Sequence, residues 1–317
     1  AISIIESLRT KVTSQELRTS FFASKQDYYQ FYIDLLMQLH KQQPSQGYDA
    51  KALETSERTR ARSLLELLNE ANADIRQGVD PDLLQKERSL QAQLNTVEQE
   101  RIKTLSGTHT ESQAKELETR LLNLQAQYQE IQTEIRAKSP RYAALTQPQP
   151  LKLAEIQQQV LDDNTILLEY SLGEEGSYLW MVTKTSITSY ELPKSADIEA
   201  AAKELRLLLT DSEISQDSEQ VAQTSAKLSQ IILAPVTEKL GQKRLVIVAD
   251  GILQYIPFAA LTKATTSKEY IPLIIDHEIV NLPSASTLAI SRKQLQGRTN
   301  APKTIAVLAD PVFGNND

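Results

Sequence analysis

The 317-residue chain contains no cysteine. Disulfides, thiolate metal sites and a cysteine nucleophile are therefore excluded from these residues. Histidine is scarce: His40, His109 and His277 are the only three, so few positions are open to imidazole base chemistry. No apolar run approaches the roughly 18 residues that cross a bilayer. The opening AISIIESLRTKV carries Glu6 inside its apolar part and has no small-residue cleavage site, so it does not read as a signal peptide. Excess basic charge is also missing. A net charge of -7 and a pI near 5.3 argue against a nucleic-acid partner. The expectation is a cytoplasmic protein with no membrane contact, no metal and no cofactor. The first residue is Ala1 rather than Met, which reads as a piece of a longer parent. The length exceeds what one core usually serves, so two domains are expected.

The first 140 residues have helical period throughout. Tyr28, Phe31, Tyr32, Leu35, Leu36 and Leu39 fall at i, i+3, i+4, i+7, i+8 and i+11, one broad apolar face of an amphipathic helix. Pro44 and Gly47 end it. A second helix starts at Asp49, with Ala52, Leu53, Ala61, Leu64, Leu65, Leu67 and Leu68 as apolar positions and Gly78 as its stop. Asp80-Pro81 starts a third, since proline suits the first helical position. It runs to about Ser106, with Leu83, Leu90, Leu94, Val97, Ile102 and Leu105 on its seam. After the break at Gly107, Leu117, Leu121, Leu124, Tyr128, Ile131 and Ile135 are spaced as heptads and predict knobs-into-holes packing. These two helices make an antiparallel hairpin about 35 Å long. The aromatic set Phe21, Phe22, Tyr28, Tyr29, Phe31 and Tyr32 reads first as interhelical core, and second as a groove for a partner peptide or helix.

Ser139 to Pro150 holds three prolines, which forbid a continuous helix. The expected division is therefore a helical domain at 1–139, a proline-rich linker at 140–152 and a second domain at 153–317. There the period changes. A short helix at Leu153–Leu161 precedes strands at Thr165–Ser171, Ser177–Thr183 and Ile187–Leu192, a meander turning at Gly173–Gly176. Trp180, the single tryptophan, reads as a sheet-core residue. Helices follow at Ser195–Leu209 and about Gln216–Leu240. The run Leu245-Val246-Ile247-Val248, stopped by Asp250-Gly251, reads as a central strand buried on both faces. A β-rich piece at Ile271–Leu282 leads to a helix at 287–296 capped by Ser284 or Ser286. Thr304–Ala309 reads as one more buried strand, stopped at Asp310-Pro311. The fold class is α+β and multi-domain: helices first, then an α/β domain.

Candidate catalytic groups are few. His40 lies at a helix end beside Lys41, where positive charge suits the helix dipole, and His109 lies in the hairpin loop. A hydrolase built from Ser284 or Ser286 with His277 and Asp276 is disfavoured. Neither serine has a Gly-x-Ser-x-Gly context, and adjacent strand residues point to opposite faces.

Four segments carry a resemblance: LLEYSLGEEGSYLWMVT at 167–183, KRLVIVADGILQYIPFAAL at 243–261, HEIVNLPSAST at 277–287 and IAVLADPVFG at 305–314. Together they resemble the CHAT family, caspase-like domains found beside tetratricopeptide (TPR) arrays. GYDAKALETSERTRARSLLELL at 47–68 resembles a degenerate TPR helix pair, and with the linker it resembles the segment preceding CHAT domains in bacterial, cyanobacterial-type TPR–CHAT proteins. The resemblance implies a cysteine peptidase whose catalytic His, in a His-Gly motif, and Cys follow the segment matching ADPVFG. His277 is followed by Glu278, so it does not fit, and no catalytic residue is assigned at any position here. The implied role is the non-catalytic, regulatory part of such a peptidase, inactive alone. Its partners would be a protein or peptide on the helical part and a catalytic half. The alternative is a non-enzymatic interaction module with a degenerate CHAT domain. The end at Asp317 is expected to be either a processing point or an arbitrary boundary.

Overall fold

The computed structural model describes residues 26–70, 78–139, 142, 150–210, 218–263 and 270–295. Among the described residues, four long helices come first: α1 (Gln26–Gln42), α2 (Tyr48–Glu70), α3 (Pro81–Leu105) and α4 (Glu111–Lys138). A short α5 (Leu153–Gln159) precedes β1 (Thr165–Ser171), β2 (Ser177–Val182) and β3 (Ile187–Leu192). Then come α6 (Ser195–Thr210), α7 (Ser218–Ile232), β4 (Arg244–Val248), β5 (Ile279–Asn281) and α8 (Ala285–Leu295). The class is α+β, helices followed by a mixed sheet. The sheet order is β3-β2-β1-β4-β5. The β1-β2-β3 meander is antiparallel, whereas β4 runs parallel to both β1 and β5.

The hairpin follows its sequence signals. Asp80 caps α3 by accepting from the Asp82 N–H, with Pro81 at the first helical position. Thr110 and Gln113 form a reciprocal capping box at the start of α4. Leu94, Val97 and Leu121 bury together, flanked by Leu117, Leu124 and Tyr128. Near the open end, Val79, Leu83, Ile135 and Tyr142 form a second cluster, where the Tyr142 hydroxyl donates to Glu87 Oε1 at 3.1 Å. The expected seam extends too far toward the tip: Ile102 and Leu105 are exposed.

Two cores sandwich the sheet, and strand alternation sorts residues between them. Ile166, Leu168 and Tyr170 of β1, Leu179 and Met181 of β2, and Leu245 and Ile247 of β4 face α6 and α7. Leu167, Trp180, Val182, Val246 and Val248 face Ile33, Leu36 and Met37 of α1, Leu53 of α2, Ile156 of α5 and Ala285 of α8. Trp180 is fully buried, as its place in the meander led us to expect. Hydrophobic packing thus crosses the 140–152 segment, since α1 and α2 share a core with the strands that follow it.

Several boundaries differ from expectation. The buried face of α1 is Tyr29, Ile33, Leu36 and Met37, whereas Tyr28, Phe31 and Leu35 are exposed. Tyr28, Phe31 and Leu35 satisfy helical spacing equally well, so period alone does not choose the face; the sheet does. Helix α7 ends at Ile232 rather than near Leu240, because Pro235 denies the next turn its backbone donor. Within Ile271–Leu282 only Ile279–Asn281 is strand. Leu273–Ile275 is a 3-10 turn, with an isolated bridge from Pro272 to Thr262. The expected strand at Thr304–Ala309, and Phe21 and Phe22, lie outside the described residues.

The β1–β2 turn is pressed against α1. A Cβ on Gly173 would lie 2.5 Å from Gln30 Nε2 and 2.5 Å from the Gly176 carbonyl. Gln30 also accepts from the Ser171 hydroxyl at 3.1 Å. Gly173→Ala is expected to lower unfolding stability by about 1–3 kcal/mol, the usual range for overpacking, as read from the midpoint of urea denaturation. An unchanged midpoint would show that α1 can yield there.

Candidate functional site

The unusual chemistry lies where α2 crosses the C-terminal ends of β1 and β4. Glu169 occupies a core-facing position of β1, in register with Trp180 on β2 and Val248 on β4, and it is completely buried. Three residues of α2 meet it. Ser56 donates to Glu169 Oε1 at 2.7 Å, and Arg60 Nε lies 3.3 Å from the same oxygen. Glu57, also fully buried, faces Glu169 closely enough that its charge opposes ionisation there.

Arg60 does more than balance charge. Its guanidinium donates to the carbonyls of Tyr170 and, at 2.6 Å, Ala249. The last paired residues of the parallel β1–β4 ladder are Glu169 and Val248, so these carbonyls belong to the next residues along. Arg60 therefore satisfies backbone acceptors just where the strands stop satisfying each other. Asp250 continues the join: its Oδ2 accepts from the Leu172 N–H at 2.8 Å, and its Oδ1 lies 3.8 Å from Arg60. Gly251, at φ +50°, turns the chain there, and a Cβ would press on Leu172 Cδ1 at 3.3 Å. The Asp-Gly pair after β4 thus ends the strand and also ties it to β1.

Glu57 reaches a third element. Its two carboxylate oxygens accept from the N–H groups of Ala285 and Ser286 at 2.8 Å each, and the Ser286 hydroxyl donates at 2.5 Å. A carboxylate at a helix N-terminus meets both unpaired donors and the positive end of the dipole. Ser284 acts as the cap proper, accepting from the Thr287 N–H at 3.2 Å. The expected serine cap is therefore divided: Ser284 caps the helix, and Ser286 anchors to Glu57.

Burial, then the charge of Glu57, holds the Glu169 carboxyl well above the usual range, with Arg60 and Ser56 opposing. Burial favours the neutral form there, because it penalises the charged one more than Arg60 and Ser56 offset.

The disfavoured hydrolase arrangement is not assembled. His277 Nδ1 is 2.8 Å from the Lys243 carbonyl, Asp276 pairs with Lys263 at 2.5 Å, and both serines are engaged as above. His40 lies 3.6 Å from Asp49, and His109 is exposed in the hairpin loop, 3.1 Å from the Gly107 carbonyl. Among the described residues, no group of three or more His, Cys, Asp or Glu is arranged to hold a metal, and no helix is long and apolar enough to cross a membrane. Glu57, Arg60 and Glu169 were not singled out from sequence as a site. The available signal was one glutamate inside the apolar run ILLEYS, since a charge in a buried strand requires a partner.

The class so defined is an α+β protein whose helices are bonded into the C-terminal edge of a mixed sheet. Within it, the family model described as the CHAT domain matches residues 222–317, from inside α7 onward. No curated protein matches the chain. The junction joins α2 and β1, which precede the matched stretch, to Ala249, Asp250 and Ser286 within it.

Arg60→Ala is expected to cost about 3–5 kcal/mol, as when one partner of a buried pair is removed, measured by chemical denaturation; a cost below about 1 kcal/mol would show the pair to be dispensable. The pH dependence has a definite sign. A carboxyl raised on folding stabilises fully below the ordinary glutamate value, about 4.3, and that contribution is lost as pH rises through the folded value. Glu169→Gln should therefore flatten a decline in stability that the unmodified chain shows as pH rises above the ordinary glutamate range; parallel profiles would refute a raised Glu169 carboxyl.

Proposed function

We propose that this chain is the helical and non-catalytic portion of a caspase-like cysteine peptidase of the TPR–CHAT type. The observation that carries the reading is the CHAT match over residues 222–317 in a chain without a single cysteine. In this reading the His base and Cys nucleophile are contributed by another part of the parent, and the 317 residues contribute the sheet and its helical cover. The bonding of α2 to the strand ends supports a regulatory role, in which the helices set the state of the sheet. The protein acts in the cytoplasm, and its helical part receives a protein or peptide partner. The exposed Phe31 and Leu35 of α1 support that part of the reading, since apolar groups outside a core commonly mark contact surfaces.

The experiment is a peptide-hydrolysis assay on this chain and on the longer parent. No turnover is expected from residues 1–317 alone, with turnover from the parent abolished when its Cys is replaced by Ala. Hydrolysis by the 317-residue chain, lost in Ser284→Ala, would overturn the reading. A parent with no His-Gly or Cys motif would favour the second reading, a non-enzymatic interaction module, to which the same exposed α1 residues would also belong.

A further inference from the structure

Leu53, Glu57 and Arg60 fall at i, i+4 and i+7 on α2 and so share one face. Leu53 is fully buried in the core beneath the sheet. Glu57 is bonded to the first turn of α8, and Arg60 to the exits of β1 and β4. One helical face therefore holds three separate elements by one hydrophobic and two charged contacts. We propose that this face is a latch: a displacement of α2 releases the C-terminal ends of β1 and β4 and the N-terminus of α8 together.

The physical reason is that the contacts do not stretch. Withdrawing α2 by one or two ångströms leaves the Tyr170 and Ala249 carbonyls without the guanidinium, Glu169 without Ser56, and the Ala285 and Ser286 N–H groups without a carboxylate. Each buried group left unpaired carries a full desolvation cost. A close-packed interior responds to such a demand by switching arrangement rather than by gradual deformation. The released segments, 170–173, 249–252 and 284–288, lie at or just past the carboxyl ends of β1 and β4 and at the start of the helix after β5. In open α/β sheets that edge is where ligands are bound. The latch rests on the regulatory reading above and names the residues that would transmit the signal.

Hydrogen exchange by mass spectrometry on the full chain tests it without reference to peptidase activity. Arg60→Met, similar in length but uncharged, is expected to raise exchange about tenfold or more at 170–173 and 249–252, while β2 and β3 keep their protection. Glu57→Gln is expected to raise it at 284–288. The decisive arm is Leu53→Ala, which loosens α2 from its apolar end. In the unmodified background it should raise exchange in all three segments, whereas in the Arg60→Met background it should add less than about twofold at 170–173 and 249–252. Purely additive effects, a uniform rise across the sheet, or a change confined to α2 would each overturn the latch. Should Arg60→Met fail to fold, Arg60→Lys takes its place in both arms, retaining the charge but losing the fork that reaches two carbonyls. Its loss of protection at 170–173 and 249–252 would support the latch and its absence would overturn it. If the exchange pattern holds while the parent proves to have no peptidase activity, the latch stands and the peptidase reading falls.

Discussion

A buried guanidinium satisfies what the β1–β4 ladder leaves open. Parallel strands diverge at their ends, and the carbonyls just past the last rung need donors. In this chain Arg60 supplies them to both strands from the helix lying across the sheet. Glu169 and Asp250 stand near its positive charge. Glu57, one turn earlier, uses the same helix to hold the start of α8. Without these contacts the apolar packing of α2 would fix its proximity to the sheet but not its rotation or register.

Charge bookkeeping explains why so polar a junction can sit inside a core. Two glutamates and an arginine enter a region lined by Trp180, Val246 and Val248. Burial and the charge of its neighbour Glu57 raise the Glu169 carboxyl well above the usual range. Glu57 has two backbone N–H groups and a hydroxyl to stabilise its charge. Burying polar groups of this kind adds little net stability over apolar packing, but it penalises every misaligned arrangement. Specificity of placement, more than strength, is what such a network contributes.

Much of the architecture was legible in the sequence, for reasons that can be named. The meander, the buried strand before Asp250-Gly251 and the hairpin each combine a period with a terminator, and both are local properties. The Asp80 and Thr110 caps lie within a few residues of what they cap. The face of α1 was not legible, because Tyr28-Phe31-Leu35 and Tyr29-Ile33-Leu36 both satisfy helical spacing and only the sheet distinguishes them. The junction was illegible for the same reason on a larger scale. Its partners are separated by 113 residues between Ser56 and Glu169 and by 228 between Glu57 and Ala285. A proline-rich segment in between suggested a break, although the hydrophobic packing runs straight across it.

Trp180 has a consequence of another kind. It is the only indole in the chain, it is wholly buried, and it stands in register with Glu169. The protein thus carries its single tryptophan beside its most unusual ionisable group, under the helices that cover that face of the sheet. Its emission is sensitive to the charge and polarity of that interior, and no other tryptophan confuses the signal. Fluorescence excited selectively at tryptophan in the unlabelled molecule therefore observes one buried place, and it is the place where helix and sheet are joined.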